Sequence, residues 1–167
     1  MGKEADIGPT ALTVADNVRR LRERHGMNYT QLSQRLQSAA NWSINAVGIR
    51  RIESGDRRVT ADDLMALAVA LRVSPIALLM PNTEMKGAEV HVTGLPRTFT
   101  AEQVWEWLRA SEQGYFPVEF ESPQAFLTRS WPTWFQEQMC DWLASVDDRY
   151  KQMQEKTLQL MALREEE

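Results

Sequence analysis

Four arginines, Arg50, Arg51, Arg57 and Arg58, fall within the single stretch I-R-R-I-E-S-G-D-R-R at 49–58. A guanidinium is planar, permanently charged and able to present paired N–H donors, so such a cluster suits guanine edges and phosphate oxygens. Ile49 and Ile52 stand three apart and share one helix face, which can bury while the arginines stay with solvent or an anion. Gly55 supplies the left-handed residue that stops a helix, and Thr60 can cap the next one. The chemistry this spacing offers is recognition of an anionic polymer.

Bond-making chemistry has less to stand on. His25, His91 and the single cysteine, Cys140, show no metal-ligand spacing, and neither a Gly-rich phosphate loop nor a G-x-S-x-G turn occurs. Glu102, Glu106, Glu119, Glu121, Asp147 and Asp148 offer carboxylates, but nothing in their spacing selects a pair. His25 reads as a helix-end residue complementing the dipole. The expectation is a protein that is not an enzyme, with no cofactor and no metal.

The elements that must position the arginines follow from periodicity and capping. A loose leader at 1–13 is expected to precede a helix over about 14–25, with Val18 and Leu21 on its apolar face and Gly26 at its end. Asn28-Tyr-Thr-Gln31 is a capping-box pattern opening a second helix, which carries Leu32 and Leu36. After a polar stretch at 38–45 comes the arginine-bearing helix, with Asn45 as its natural cap. Thr60 opens a fourth helix (Leu64, Leu67, Ala68, Leu71), and Ser74-Pro75 opens a short fifth that Pro81 closes. Residues 82–88 read as a linker to a second domain over 89–167.

In that second domain Val90 to Val92 reads as a short strand, and Thr100 caps a helix to about Ser111 with Val104, Trp105 and Leu108 inward. Residues 114–123 read as irregular, and a short helix is expected near 125–129. From Pro132 a long helix is expected to about 163. Its apolar positions Phe135, Met139, Trp142, Val146, Tyr150, Met153, Thr157 and Leu160 are spaced by 4, 3, 4, 4, 3, 4 and 3. That stripe is either a dimerisation seam or a face packed on its own domain. The fold class is mainly α.

The chain's 167 residues suffice for two small domains, and its −4 net charge divides unevenly. Residues 1–80 hold 11 basic against 8 acidic side chains (+3), and residues 81–167 hold 8 against 15 (−7). This asymmetry suits a nucleic-acid-binding front and a differently employed rear. The longest apolar run, 64–71, is too short for a bilayer span, and the acidic, uneven first twenty residues do not read as a signal peptide. One cysteine excludes an internal disulfide and fits a reducing cytoplasm. Five of the six tryptophans, Trp105, Trp107, Trp131, Trp134 and Trp142, lie in the rear, where they suit a core, a protein interface or an effector pocket.

Residues from about 14 to 80 resemble the helix-turn-helix domain of the phage-repressor/Cro (XRE-type) family of bacterial and phage transcription regulators. The resemblance rests on V-R-R-L-R-E-R-H-G (18–26), L-S-Q-R-L (32–36), I-R-R-I-E-S-G (49–55) and D-D-L-M-A-L-A-V-A-L-R-V-S-P (62–75). It implies a five-helix, lambda-repressor-like fold whose third helix enters the major groove of double-stranded DNA while the second crosses the backbone. It also implies an ion pair between Arg22 and Glu53, base-reading positions at Ala46, Val47 and Arg51 with Arg50 adjacent, and phosphate contacts at Arg57 and Arg58. Asn45 is both cap and candidate contact. Two departures stand out. Tyr29 occupies a position where the family often has a DNA-contacting glutamine, and the turn before the third helix is about six residues longer than the family norm. The extra residues include Trp42, which either tacks the turn to the core or meets DNA or a partner.

The function this implies is a sequence-specific DNA-binding regulator acting as a repressor, in the cytoplasm, with a homodimer through the C-terminal half. The competing expectation is a protein-interaction module, such as an antitoxin or phage factor, whose acidic, Trp-rich rear binds a partner protein.

Overall fold

The computed structural model describes residues 7–111 and 122–165. The chain divides into two compact units, Met1–Glu102 and Gln103–Glu167. It is mainly α-helical, as expected.

The first unit holds α1 (Pro9–Arg24), α2 (Tyr29–Ala40), α3 (Ala46–Glu53), α4 (Ala61–Leu71) and α5 (Pro75–Leu79). Helix α1 starts at Pro9, ahead of the expected 14, so the leader is shorter than 1–13. Proline at the first helical position loses no bond there, and exposed Leu12 falls off the apolar stripe that periodicity detects. The Asn28–Gln31 capping box forms in both directions, at 2.9 and 2.8 Å. Gly55 follows the end of α3 with φ +79°, in the conformation a side chain disfavours. One apolar core joins the five helices through Val14, Val18 and Leu21 of α1, Leu32 and Leu36 of α2, Ile49 and Ile52 of α3, Leu67 and Leu71 of α4, and Leu78 of α5.

This unit extends past the expected linker at 82–88. Strands β1 (Glu89–Val90) and β2 (Phe99–Thr100) pair antiparallel, so the expected 90–92 strand is shorter and gains a partner. The hairpin's loop is tied to α1. The Thr93 amide donates to Thr10 Oγ1 at 2.9 Å, and the Thr10 amide donates to Thr93 Oγ1 at 3.3 Å. A Cβ on Gly8 would lie 2.6 Å from Thr93 Oγ1, so only glycine admits this approach.

The division between units falls within α6 (Ala101–Leu108), where Val104 is buried but Trp105, expected inward, is exposed. The expected irregular segment at 114–123 lies outside the described residues except for its last two positions. Helix α7 (Pro123–Ser130) follows, started by Ser122, whose Oγ accepts the Ala125 amide at 3.1 Å. The expected single long helix is two: α8 (Thr133–Gln138) and α9 (Cys140–Glu165), interrupted at Met139. Phe135 and Trp142, seven residues apart, both pack on Trp131, with ring centroids at 4.8 and 5.6 Å. The first half of the apolar stripe, Phe135 to Val146, thus closes a core with Leu127 and Trp131. Residues 151–159 of α9 are exposed on every side.

Candidate nucleic-acid interface

Helix α3 is held by its buried side and presents the other. Ile49 and Ile52 are sealed in the core, while Val47 is 66% exposed and Arg50, Arg51 and Ser54 are exposed. Positions 47, 50, 51 and 54 are spaced by three and four residues, so they form one solvent-facing stripe. Ala46 is half-buried at its edge. Asn45 caps the helix, its Oδ1 accepting the Gly48 amide at 2.7 Å, while the residue remains exposed. Arg51 leans past the helix end, donating from Nη2 to the Asp56 carbonyl at 3.3 Å. Arg58 is exposed.

Below that stripe lies the buried pair that the resemblance implies. Arg22 and Glu53 meet through two hydrogen bonds, and Arg22 Nη1 donates to the Met27 carbonyl at 2.8 Å. The hydrogen-bonded Glu53 carboxylate raises the Arg22 pKa further, against the opposing effect of burial. The Arg22 guanidinium also lies 4.5 Å above the ring of Tyr29, which is half-buried against the core. Tyr29 therefore belongs to the joint between α1, α2 and α3.

Arg57 has a partner within the domain. Its Nη2 donates to Asp63 Oδ2 at 3.1 Å, and the side chain is 35% exposed, so one face of the guanidinium is engaged within the protein. The cause is the buried Asp63 carboxylate, which also accepts the Trp42 indole N–H on Oδ1 at 2.8 Å. Burial alone pushes the Asp63 pKa up. Hydrogen bonds from Trp42 and Thr60, with the charge of Arg57, outweigh it and hold the carboxyl below its ordinary 3.8. Trp42 accordingly tacks the lengthened turn to the domain. Asp63 forms a reciprocal cap with Thr60, and that local pattern gives no sign of its two further partners, Trp42 and Arg57.

Among the described residues, no group of three or more His, Cys, Asp or Glu side chains is placed to hold a metal ion. No described helix is long and apolar enough to cross a membrane.

Comparison with known families finds a match to the model of a helix-turn-helix domain over residues 14–79. No curated protein and no solved structure matches the chain. The match covers α1 to α5 from Val14 onward and includes the stripe of Val47, Arg50 and Arg51. Residues 14–79 are a helix-turn-helix domain, of a family of XRE-like DNA-binding domains.

Proposed function

We propose that this protein is a sequence-specific regulator of transcription, a repressor that occupies an operator and excludes polymerase in the cytoplasm of a bacterial or phage-infected cell. The observation that carries this reading is the division of α3. Its isoleucines anchor it in the core while Val47, Arg50 and Arg51 face solvent together, ready for a thymine methyl and a guanine edge. Ala46 and Asn45 sit at the same helix's start, and Arg58 lies beyond its end, where a phosphate contact is expected. Arg57 and Tyr29 act instead through the positions they hold within the domain.

A second copy of the chain completes the reading. The stretch 151–159 of α9 is exposed, and a helical segment with little packing draws little stability from its own turns in water. Met153 and Leu158, 46% and 66% exposed, are the apolar positions it offers. Paired α9 helices would cover Met153, the stripe position, and place two recognition helices on a symmetric operator. Selection of bound DNA from a random library is the test, and a palindromic product with half-sites about 10 bp apart is the expected result. Enrichment of no sequence would remove the proposal.

The adaptor reading has one observation in its favour, the 61% exposure of Trp134 beside Phe135 in the acidic unit. Retention on heparin at low salt, with steep elution by salt, separates the two: a DNA binder is retained and an adaptor passes through.

A further inference from the structure

Helix α3 is short, eight residues or about 12 Å, and its two flanking segments converge on one carboxylate. Trp42 lies in the turn just ahead of the Asn45 cap, and Arg57 lies just past the Gly55 stop. Asp63 takes the first on Oδ1 at 2.8 Å and the second on Oδ2 at 3.1 Å. The same carboxylate is fixed at the start of α4 by the reciprocal cap with Thr60, whose Oγ1 accepts the Asp63 amide at 3.1 Å. Asp63 is 3% exposed and cannot itself meet a ligand outside the domain.

Gly48, in the middle of α3, completes the arrangement. A Cβ there would stand 2.7 Å from Arg57 Nη1 and 3.0 Å from Ile44 Cγ2. The guanidinium therefore lies against the helix backbone itself, in space that any side chain at position 48 would occupy. One carboxylate thus ties the segment entering the helix, the segment leaving it and, through Arg57, its middle.

We propose that Asp63, with Trp42 and Arg57, is a clamp that sets the angle at which α3 presents Val47, Arg50 and Arg51, so that these are positioning residues for base discrimination. The inference rests on the DNA-binding reading above. The lengthened turn would otherwise let the start of α3 swing, and the clamp replaces the short turn's restraint with two charge-assisted hydrogen bonds. Aim is what the clamp supplies; attraction to the phosphate backbone comes from the exposed cations and does not depend on it.

Two variants of the full chain test this. Trp42→Phe keeps an aromatic ring against the core but deletes the indole donor, and Gly48→Ala leaves all three partners in place while displacing the guanidinium. Affinity is measured for the selected operator and for random duplex, with circular dichroism and the thermal midpoint as controls on folding. Each variant is expected to lower the operator-to-random ratio about ten-fold, the scale of one misaimed bidentate base contact, with random-duplex affinity and salt slope unchanged. Arg57→Lys, which keeps the charge but not the fork, is expected to fall between wild type and Arg57→Ala in that ratio. Should folded Trp42→Phe and Gly48→Ala both keep the wild-type ratio, the clamp plays no part in discrimination and the inference is overturned. Should the wild-type chain itself show no preference for any duplex, it is the DNA-binding reading that fails.

Discussion

Arg22 and Glu53 meet in a bidentate pair, Nε to Oε1 at 2.6 Å and Nη2 to Oε2 at 2.7 Å, with both side chains nearly sealed from solvent. The pair joins α1 to the last residue of α3, so the helix that carries the exposed arginines is bolted at its C-terminal end. Ions buried this deeply are costly to separate, because the survivor keeps its desolvation penalty and loses its partner.

Arg22→Ala and Glu53→Ala should therefore each lower unfolding stability by about 3–5 kcal/mol. Urea unfolding followed by circular dichroism measures it. The double change Arg22→Met/Glu53→Met should cost less than the two single changes together, since it leaves neither charge stranded. Additive losses would show that the two residues do not act as a pair.

The clamp carboxylate predicts a dependence on pH. Asp63 has a folded pKa below its ordinary 3.8, so its contribution to stability is present above that value and is lost as pH falls through the lower, folded one. Asp63→Ala should cost about 1–3 kcal/mol at neutral pH, having left the half-buried Trp42 and Arg57 donors without their acceptor. The gap between variant and wild type should narrow only below pH 3.8. A gap that narrows already between neutrality and pH 5 would contradict the depressed pKa.

At the exposed stripe the expected effect is on selectivity. Arg51→Ala should relax discrimination at one base pair by roughly 1–3 kcal/mol, measured on the selected operator against single-base variants. Equal losses on operator and random duplex would remove the base-reading assignment of Arg51.

Arg57 and Arg58, adjacent and chemically identical, should behave differently. Arg58→Ala should weaken all duplexes alike and reduce the salt slope by about 1, as for a phosphate contact. Arg57→Ala should lower the thermal midpoint, because it breaks the bond to buried Asp63, and should leave the salt slope closer to wild type. Matching salt slopes for the two variants would restore Arg57 to the phosphate contacts.

Removal of residues 151–167 should convert a dimer to a monomer in sedimentation while the thermal midpoint of the helix-turn-helix unit stays in place. Loss of preference for two half-sites over one should accompany it. A full-length chain that sediments as a monomer at all concentrations would exclude pairing through α9.

Much of the DNA-facing half was legible before any tertiary structure. The Asn28 and Thr60 caps, the Gly55 stop and the apolar spacing of Leu32/Leu36 and Ile49/Ile52 each act within one turn of chain, where local sterics and hydrogen bonding decide the outcome. The start of α1 was missed because exposed Leu12 does not follow the apolar stripe, and the break at Met139 because the stripe runs unbroken through it. What no local pattern could decide is that Arg57 meets the buried Asp63 carboxylate. Arg57 lies six positions before Asp63, and only the packing of α4 against the end of α3 brings the two side chains together. Trp42 reaches that carboxylate across 21 positions, and Thr10 reaches Thr93 across 83. Caps and periodicity are written within a few residues, whereas which buried group meets which partner depends on how the helices pack, and that is known only once the chain has folded.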